Sequence, residues 1–395
     1  MDSIPLIERI EFISYSIEMP HVSTDPAGSG VRFTPGTSQP QLRFAIRVRT
    51  SAGIVGEYAP PRARTRIVMR AAEFLSHKLI GKNALERERI YRALRLATKH
   101  VGEVGIGVLD IALWDIAGKL HNQPIFRLLG GHRTQLPSYA STLQGDSHSE
   151  GLNTPEAYAD FAEQCLELGY PGYKMHGWSA GDPRQEGELL ETVAHRVGDK
   201  MDLMYDAGCH LATFHDAVRI GKICDANNYF WYEDPYADGG VSTFSHRRLK
   251  DFVKTPIMVT EHIHTPEVST DLLLNGATDF ARPDPDYDCG ITGSMKIATA
   301  AEALGMDTEV HACGPAMRHV MAAVPKSNYY EVNLVHPVVG NAWDLPVYAC
   351  GYSDSLDCVD SNGCVSVPTE PGLGVQYDWD YIERHAVDRV VIGQD

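Results

Sequence analysis

The feature that most limits how this 395-residue chain can fold is a repeat in its second part. From about Leu136 onward, short apolar runs end in a charged residue, and each is followed by a stretch with helical spacing. The runs are Tyr170 to Lys174, Leu203 to Asp206, Phe230 to Glu233, Ile257 to Glu261, Phe280 to Asp284, Thr308 to His311 and Tyr329 to Glu331. Their terminal polar residues stand 32, 27, 28, 23, 27 and 20 positions apart. One strand, one loop and one helix together take about 25–35 residues, so the spacing predicts a repeated strand–helix unit. With an opening strand near Ser138 to Thr142, the units make a (β/α) barrel of seven or eight strands. A doubly wound open sheet would also alternate strands and helices. No Gly-x-Gly-x-x-Gly turn or phosphate loop supports that choice.

The preceding part reads as α+β. Gln41 to Ser51 alternates apolar and polar residues as a half-buried strand does, and Gly53 to Gly56 continues it across a turn. Ser23 to Gln39, rich in Ser, Thr, Gly, Pro and Asp, reads as a polar loop. Ile67 to Leu79 and Ala84 to Thr98 have helical spacing. The strongest helix is Glu103 to Leu120, where Leu109, Leu113, Ile116 and Leu120 form one stripe. Gly105, Gly107 and Gly118 weaken that helix intrinsically, which implies that something packs closely against it. The tail after about Val365 has a turn and a short helix of its own and is expected to return to the first domain. The expected division is a cap over residues 1–134, a barrel over 135–364 and a returning segment over 365–395.

Composition narrows the function. An apolar content of 43% with 22% charged residues excludes extended disorder. Against 52 acidic residues there are 35 Lys and Arg, and the net charge of −17 opposes nucleic-acid or anionic-membrane binding, which need a positive field. No apolar run is long enough to span a bilayer. The first residues lack the charged start and apolar core of a secretion signal, and the eight cysteines include no Cys-x-x-Cys. The expectation is a cytoplasmic protein with reduced cysteines.

In a (β/α) barrel the C-terminal strand ends converge on one mouth, where catalysis takes place. Here that mouth would hold Lys174 with His176, then Asp206, Glu233, Glu261, Asp284, His311 and Glu331. Three consecutive acidic ends would repel one another and raise their pKa values. A hard divalent cation resolves the conflict, and an oxygen-only ligand set suits Mg²⁺. Asp284 beside His311 would fix the imidazole tautomer and make a general base. Lys174 and His176, two apart, share one side of a strand, and two cations facing one mouth are expected to lower each other's pKa. A metal, a base and an acid together fit removal of a proton next to a carboxylate.

In this order, the segments GVLDIALWDIAGKLHNQPIFRLLGG (107–131), YKMH (173–176), MYDAG (204–208), WYEDP (231–235), TEH (260–262), ARPDPDYDCGITGSMKIA (281–298), EVHACG (309–314), YYE (329–331) and PGLGV (371–375) resemble the enolase superfamily, mandelate racemase subgroup. The resemblance implies an α/β fold, a modified (β/α)7β TIM-like barrel with an α+β capping domain formed by N- and C-terminal segments. It matches Asp206, Glu233 and Glu261 to three Mg²⁺ ligands and His311 with Asp284 to a catalytic dyad. Glu331 matches a glutamate that hydrogen-bonds the substrate carboxylate. Lys174 matches the first lysine of a Lys-x-Lys motif, whose second lysine is replaced by His176.

Such proteins racemise, cycloisomerise or dehydrate through one enolate step, so the reaction must be read from the substrate contacts. The polar segment His21 to Arg32, with Glu57 and the Arg62/Arg64 pair, suits a polyhydroxylated acid, with Arg32 and Glu57 as candidate substrate contacts. His210 is a further candidate hydroxyl contact. The expectation is an acid-sugar dehydratase acting on a small sugar acid, with a racemase or epimerase of an α-hydroxy acid as the alternative. The subgroup also implies a homo-oligomer.

Overall fold

The computed structural model describes residues 4–25, 30–61 and 64–394. The cap is an antiparallel sheet in which β1 (Ile7–Thr24) pairs with β2 (Val31–Thr50), and β2 with β3 (Val55–Tyr58). The C-terminal strand Ala386–Gly393 closes the other edge by pairing with β1, so the tail returns to the first element of the chain. Phe12, Phe44, Ile46 and Val48 point from this sheet into the main core, where the helices Thr65–Ser76, Arg87–Thr98 and Ile106–Leu120 bury Val68, Leu94 and Leu109.

Most of the polar segment Ser23 to Gln39, expected as a loop, is strand. Val22 pairs with Phe33 and Pro20 with Ser38, so Ser23 and Thr24 belong to β1 and Val31 to Gln39 to β2, while residues 26–29 lie outside the described residues. Cross-strand polar bonds take the place of burial: Ser23 Oγ meets Thr34 Oγ1 at 2.8 Å, and Gln39 Nε2 donates to Thr24 Oγ1 at 2.7 Å. Composition could not separate such a two-sided polar hairpin from a loop.

Eight parallel strands follow: β4 (Gln135–Thr142), β5 (Gly172–His176), β6 (Asp202–Asp206), β7 (Trp231–Glu233), β8 (Ile257–Met258), β9 (Phe280–Ala281), β10 (Asp307–Thr308) and β11 (Tyr330–His336). Each pairs with the next as far as β10, and β11 returns beside β4. At the seam between β10 and β11, Thr308 N donates to Lys326 O at 2.8 Å, and the buried Glu309 carboxylate accepts from Asn328 and Tyr329. Helices follow each of the first seven strands, which makes the fold a (β/α)7β barrel. Tyr139, Met204, Trp231, Met258 and Phe280 form an apolar cluster drawn from five of these strands. No described helix is long and apolar enough to cross a membrane.

Three strands end earlier than the sequence predicts. Glu261, Asp284 and His311 each sit three residues past β8, β9 and β10. Thr260 at φ +108° turns the chain out of the ladder, and Pro283 has no N–H to donate. Glu331, expected at a strand end, stands near the start of β11, which runs on to His336.

The close approach implied by the glycines is present. A Cβ on Gly107 would lie 2.4 Å from the Asp286 carbonyl oxygen and 2.5 Å from that of Pro285, in the loop after β9. Gly107→Ala should therefore push the cap helix off the barrel. The expected loss is about 1–3 kcal/mol, typical of an overpacked contact, read as a lower urea midpoint at unchanged slope. An unchanged midpoint would show that this contact yields freely.

Candidate active site

Parallel pairing brings the acids together. Asp206 ends β6 directly opposite Glu233 at the end of β7, and His176 ends β5 opposite Asp206. In-register residues of neighbouring strands face the same way, so these three form one row. Glu261 joins it from the turn after β8, and Asp206, Glu233 and Glu261 each offer an oxygen within 4.8 Å of the others.

Three nearly buried carboxylates need compensation, and the protein supplies it. Lys174 Nζ, 1% exposed, lies 2.8 Å from Glu233, 3.1 Å from Glu331 and 3.4 Å from Asp206. Arg282 Nε lies 2.7 Å from Glu233, and its Nη2 lies 3.0 Å from Glu331. Burial acts to lower the Lys174 pKa, but Glu233 and Glu331 outweigh it and hold it well above the usual lysine value. That corrects the expected depression by His176: the carboxylates, remote in sequence, decide the charge. Burial also acts to raise Asp206, yet His176 and Lys174 bring it well below the usual carboxylate range.

Glu261 is the least compensated member. Burial raises its pKa to about 8, and although His262 pulls it down, the charges of Asp234, Glu233 and Asp206 add to the rise. Its Oε2 accepts no hydrogen bond, although His311 Nε2 stands 3.2 Å away. An all-oxygen set that retains an orphaned carboxylate oxygen fits a hard divalent cation, which Asp206, Glu233 and Glu261 would hold.

Two imidazoles stand at the two ends of the acid row. His311 Nδ1 donates to Asp284 Oδ2 at 2.8 Å, leaving Nε2 toward Glu261. His176 Nδ1 lies 2.7 Å from the Thr142 carbonyl oxygen, which can only accept, so this nitrogen is the donor. Its Nε2 is 3.0 Å from Asp206 Oδ2. Each ring thus presents its Nε2 to a carboxylate of the row. They open on one cavity of about 200 Å³, lined by Asp206, Glu261 and Glu331 from the barrel and by Val31 and Arg64 from the cap.

Other expected contacts are placed differently. Glu57 is held inside the cap by Lys119 Nζ at 2.9 Å and Trp379 Nε1, so its carboxylate serves cap packing in place of the expected substrate contact. Arg32 is exposed on β2 opposite Ser23 and does not line the cavity. Arg62 lies outside the described residues, whereas its neighbour Arg64 reaches the cavity wall. His210 is half-buried behind the lining, where burial lowers its pKa against the opposing charge of Asp206. Glu331 lines the cavity, but its carboxylate is the counter-ion of Lys174 and Arg282, and it also accepts Ala312 N at 2.8 Å. Although burial would raise it, those two cations hold it well below the usual glutamate range. Such an anion accepts hydrogen bonds and has no proton to offer a substrate carboxylate.

Sequence reasoning missed Arg282, Asp234, His262 and Cys209. Arg282 sits in an apolar run, Phe-Ala-Arg-Pro, and a charged residue within a barrel strand must be paired. That signal was available. His262 Nδ1 lies 3.1 Å from Asp234 Oδ2, and its Nε2 lies 3.3 Å from Glu261 Oε1. Burial acts to lower the His262 pKa, but Asp234 outweighs it and lifts it to about 12.

A (β/α)7β barrel roofed by an α+β cap, with an acid row at the strand ends, is the architecture of the enolase class of enzymes. The chain belongs to the mandelate racemase/muconate lactonizing enzyme branch of that superfamily. Residues 157–381 match the enolase C-terminal domain-like family, and residues 17–130 match the mandelate racemase/muconate lactonizing enzyme N-terminal domain. The chain is 28% identical over 376 residues to the D-xylonate dehydratase of Haloferax volcanii, across 87% of this chain and 85% of that one. It is 25% identical over 392 residues to the 3,6-anhydro-alpha-L-galactonate cycloisomerase of Streptomyces coelicolor, across 97% and 100%. The solved D-glucarate dehydratase from Agrobacterium tumefaciens, complexed with magnesium, superposes with a TM-score of 0.86 at 28% identity, over 98% of this chain and 100% of that one.

Proposed function

We propose that this protein is a cytoplasmic, Mg²⁺-dependent acid-sugar dehydratase that converts a sugar acid to a 2-keto-3-deoxy acid. The observation that carries the reading is the pair of imidazoles at opposite ends of one acid row, both open to one cavity. Dehydratases of sugar acids among the similar proteins support it. Bound by Asp206, Glu233 and Glu261, Mg²⁺ would supply positive charge beside the substrate carboxylate. The protein's own groups then move the protons. Lys174, held as an ammonium by Glu233 and Glu331, is a poor base. His176 in its neutral form, with Nδ1–H on the Thr142 carbonyl oxygen, would take the α-proton at Nε2. The electron pair of the Cα–H bond first moves into the substrate carboxylate as an enolate, and in a second step returns to form the Cα–Cβ double bond as the Cβ–O bond breaks. His311 Nε2–H protonates the departing hydroxyl, which leaves as water, and Asp284 holds the imidazole for that transfer. The resulting enol takes up a proton at Cβ and becomes the keto acid.

Incubating the protein and Mg²⁺ with a library of aldonic and aldaric acids should give a keto acid trapped as its semicarbazone. A library without one reactive member would end this reading. The same two imidazoles also suit a racemase or epimerase of an α-hydroxy acid. That reaction would bring solvent deuterium to the α-position without loss of water.

A further inference from the structure

A second ligand cluster lies beside the acid row and plays no part in the steps above. Cys209, Asp234 and His262 each present a donor atom within 4.8 Å of the others. The main chain fixes the pair of loops involved: Cys209 N donates to Asp234 O at 2.9 Å, and Ala207 N to Glu233 O at 3.0 Å. Asp234 is 1% exposed, and His262 Nδ1, 3.1 Å from its Oδ2, is the group that meets it. A metal ion bound between them would take the place of the imidazole proton and keep the buried carboxylate compensated. Space for one exists. A Cβ on Gly240 would fall 2.8 Å from Asp234 Oδ1 and 3.4 Å from His262 Nδ1, so the missing side chain leaves open the volume between these donors.

From these contacts we propose that Cys209, Asp234 and His262 bind a second metal ion, of the zinc class, at the rim of the substrate cavity. Sulfur and imidazole donors suit a borderline ion and discriminate against Mg²⁺, while the all-oxygen row next door does the reverse. His262 would bind through Nδ1, leaving Nε2–H to donate to Glu261 Oε1 at 3.3 Å. A ligating imidazole whose other nitrogen is anchored on a carboxylate is the usual supporting arrangement. Here that carboxylate belongs to the acid row, so one ring links the two sites. Asp234 and His262 both face the cavity, which leaves the remaining coordination position open to water or a substrate oxygen.

The test does not depend on any enzymatic activity. The purified protein is stripped with a chelator, saturated with Mg²⁺ and titrated with Co²⁺ as the spectroscopic probe. The expected result is one Co²⁺ per chain with a thiolate-to-cobalt charge-transfer band that Zn²⁺ abolishes by competition. Cys209→Ser should remove the band, and Gly240→Ala, which keeps all three donors but fills the space, should weaken it. Circular dichroism of both variants separates lost binding from lost folding. No band in the Mg²⁺-saturated protein, or a band that survives Cys209→Ser, would overturn the proposal.

Discussion

His311→Asn should lower the rate of water loss by about 10²–10⁴-fold, the range expected when a positioned proton donor is removed. Exchange of the substrate α-proton with solvent should continue. The separation follows from the geometry: His311 is fixed by Asp284 at the Glu261 end of the row, whereas His176 is fixed by Thr142 at the Asp206 end. Removing one imidazole therefore leaves the other seated. Keto-acid formation reports the loss of dehydration, and proton NMR in deuterium oxide reports that α-proton exchange is kept. His176→Asn should suppress both, since elimination needs the carbanion that its Nε2 generates. The opposite pattern, with exchange lost in the His311 variant and kept in the His176 variant, would invert the assignment of base and acid.

The repeat, the acid row and the dyad were legible because each depends on spacing along the chain. Asp206 and Glu233 end strands that pair in register, so their meeting follows once the strands are recognised. Glycine at 107 likewise revealed a tight contact without naming the partner, the carbonyls of Pro285 and Asp286. What depended on neighbours across the barrel was not legible. Lys174 has His176 nearby in sequence, which suggested a lowered pKa, yet Glu233 and Glu331, 59 and 157 residues away, set its charge. The extent of β1 and β2 was hidden for another reason: their outer parts are held by main-chain pairing and cross-strand hydroxyls, which leave no apolar periodicity.

The largest expected effect on stability comes from Glu233→Gln. Glu233 is fully buried, 2.8 Å from Lys174 Nζ and 2.7 Å from Arg282 Nε, and it accepts Trp231 Nε1 at 3.1 Å. The amide has nearly the same shape but no charge, and one of its ends is a donor facing a cation. Two buried cations would then share the remaining carboxylates. Removing one partner of a buried ion pair costs about 3–5 kcal/mol, because the group left behind is still out of water. Relief of repulsion against Asp206 and Glu261 offsets part of that cost, which places the expected loss at the lower end of the range. Urea unfolding in the presence of a chelator should show it, so that no bound cation contributes. Adding Arg282→Met should recover part of the loss, since the second change removes one of the stranded charges, and the cycle of single and double variants gives the coupling directly. If the single variant unfolded at the wild-type midpoint, the two cations would be compensated without Glu233. The balance of charge at the barrel mouth would then rest on Glu331 and Asp206.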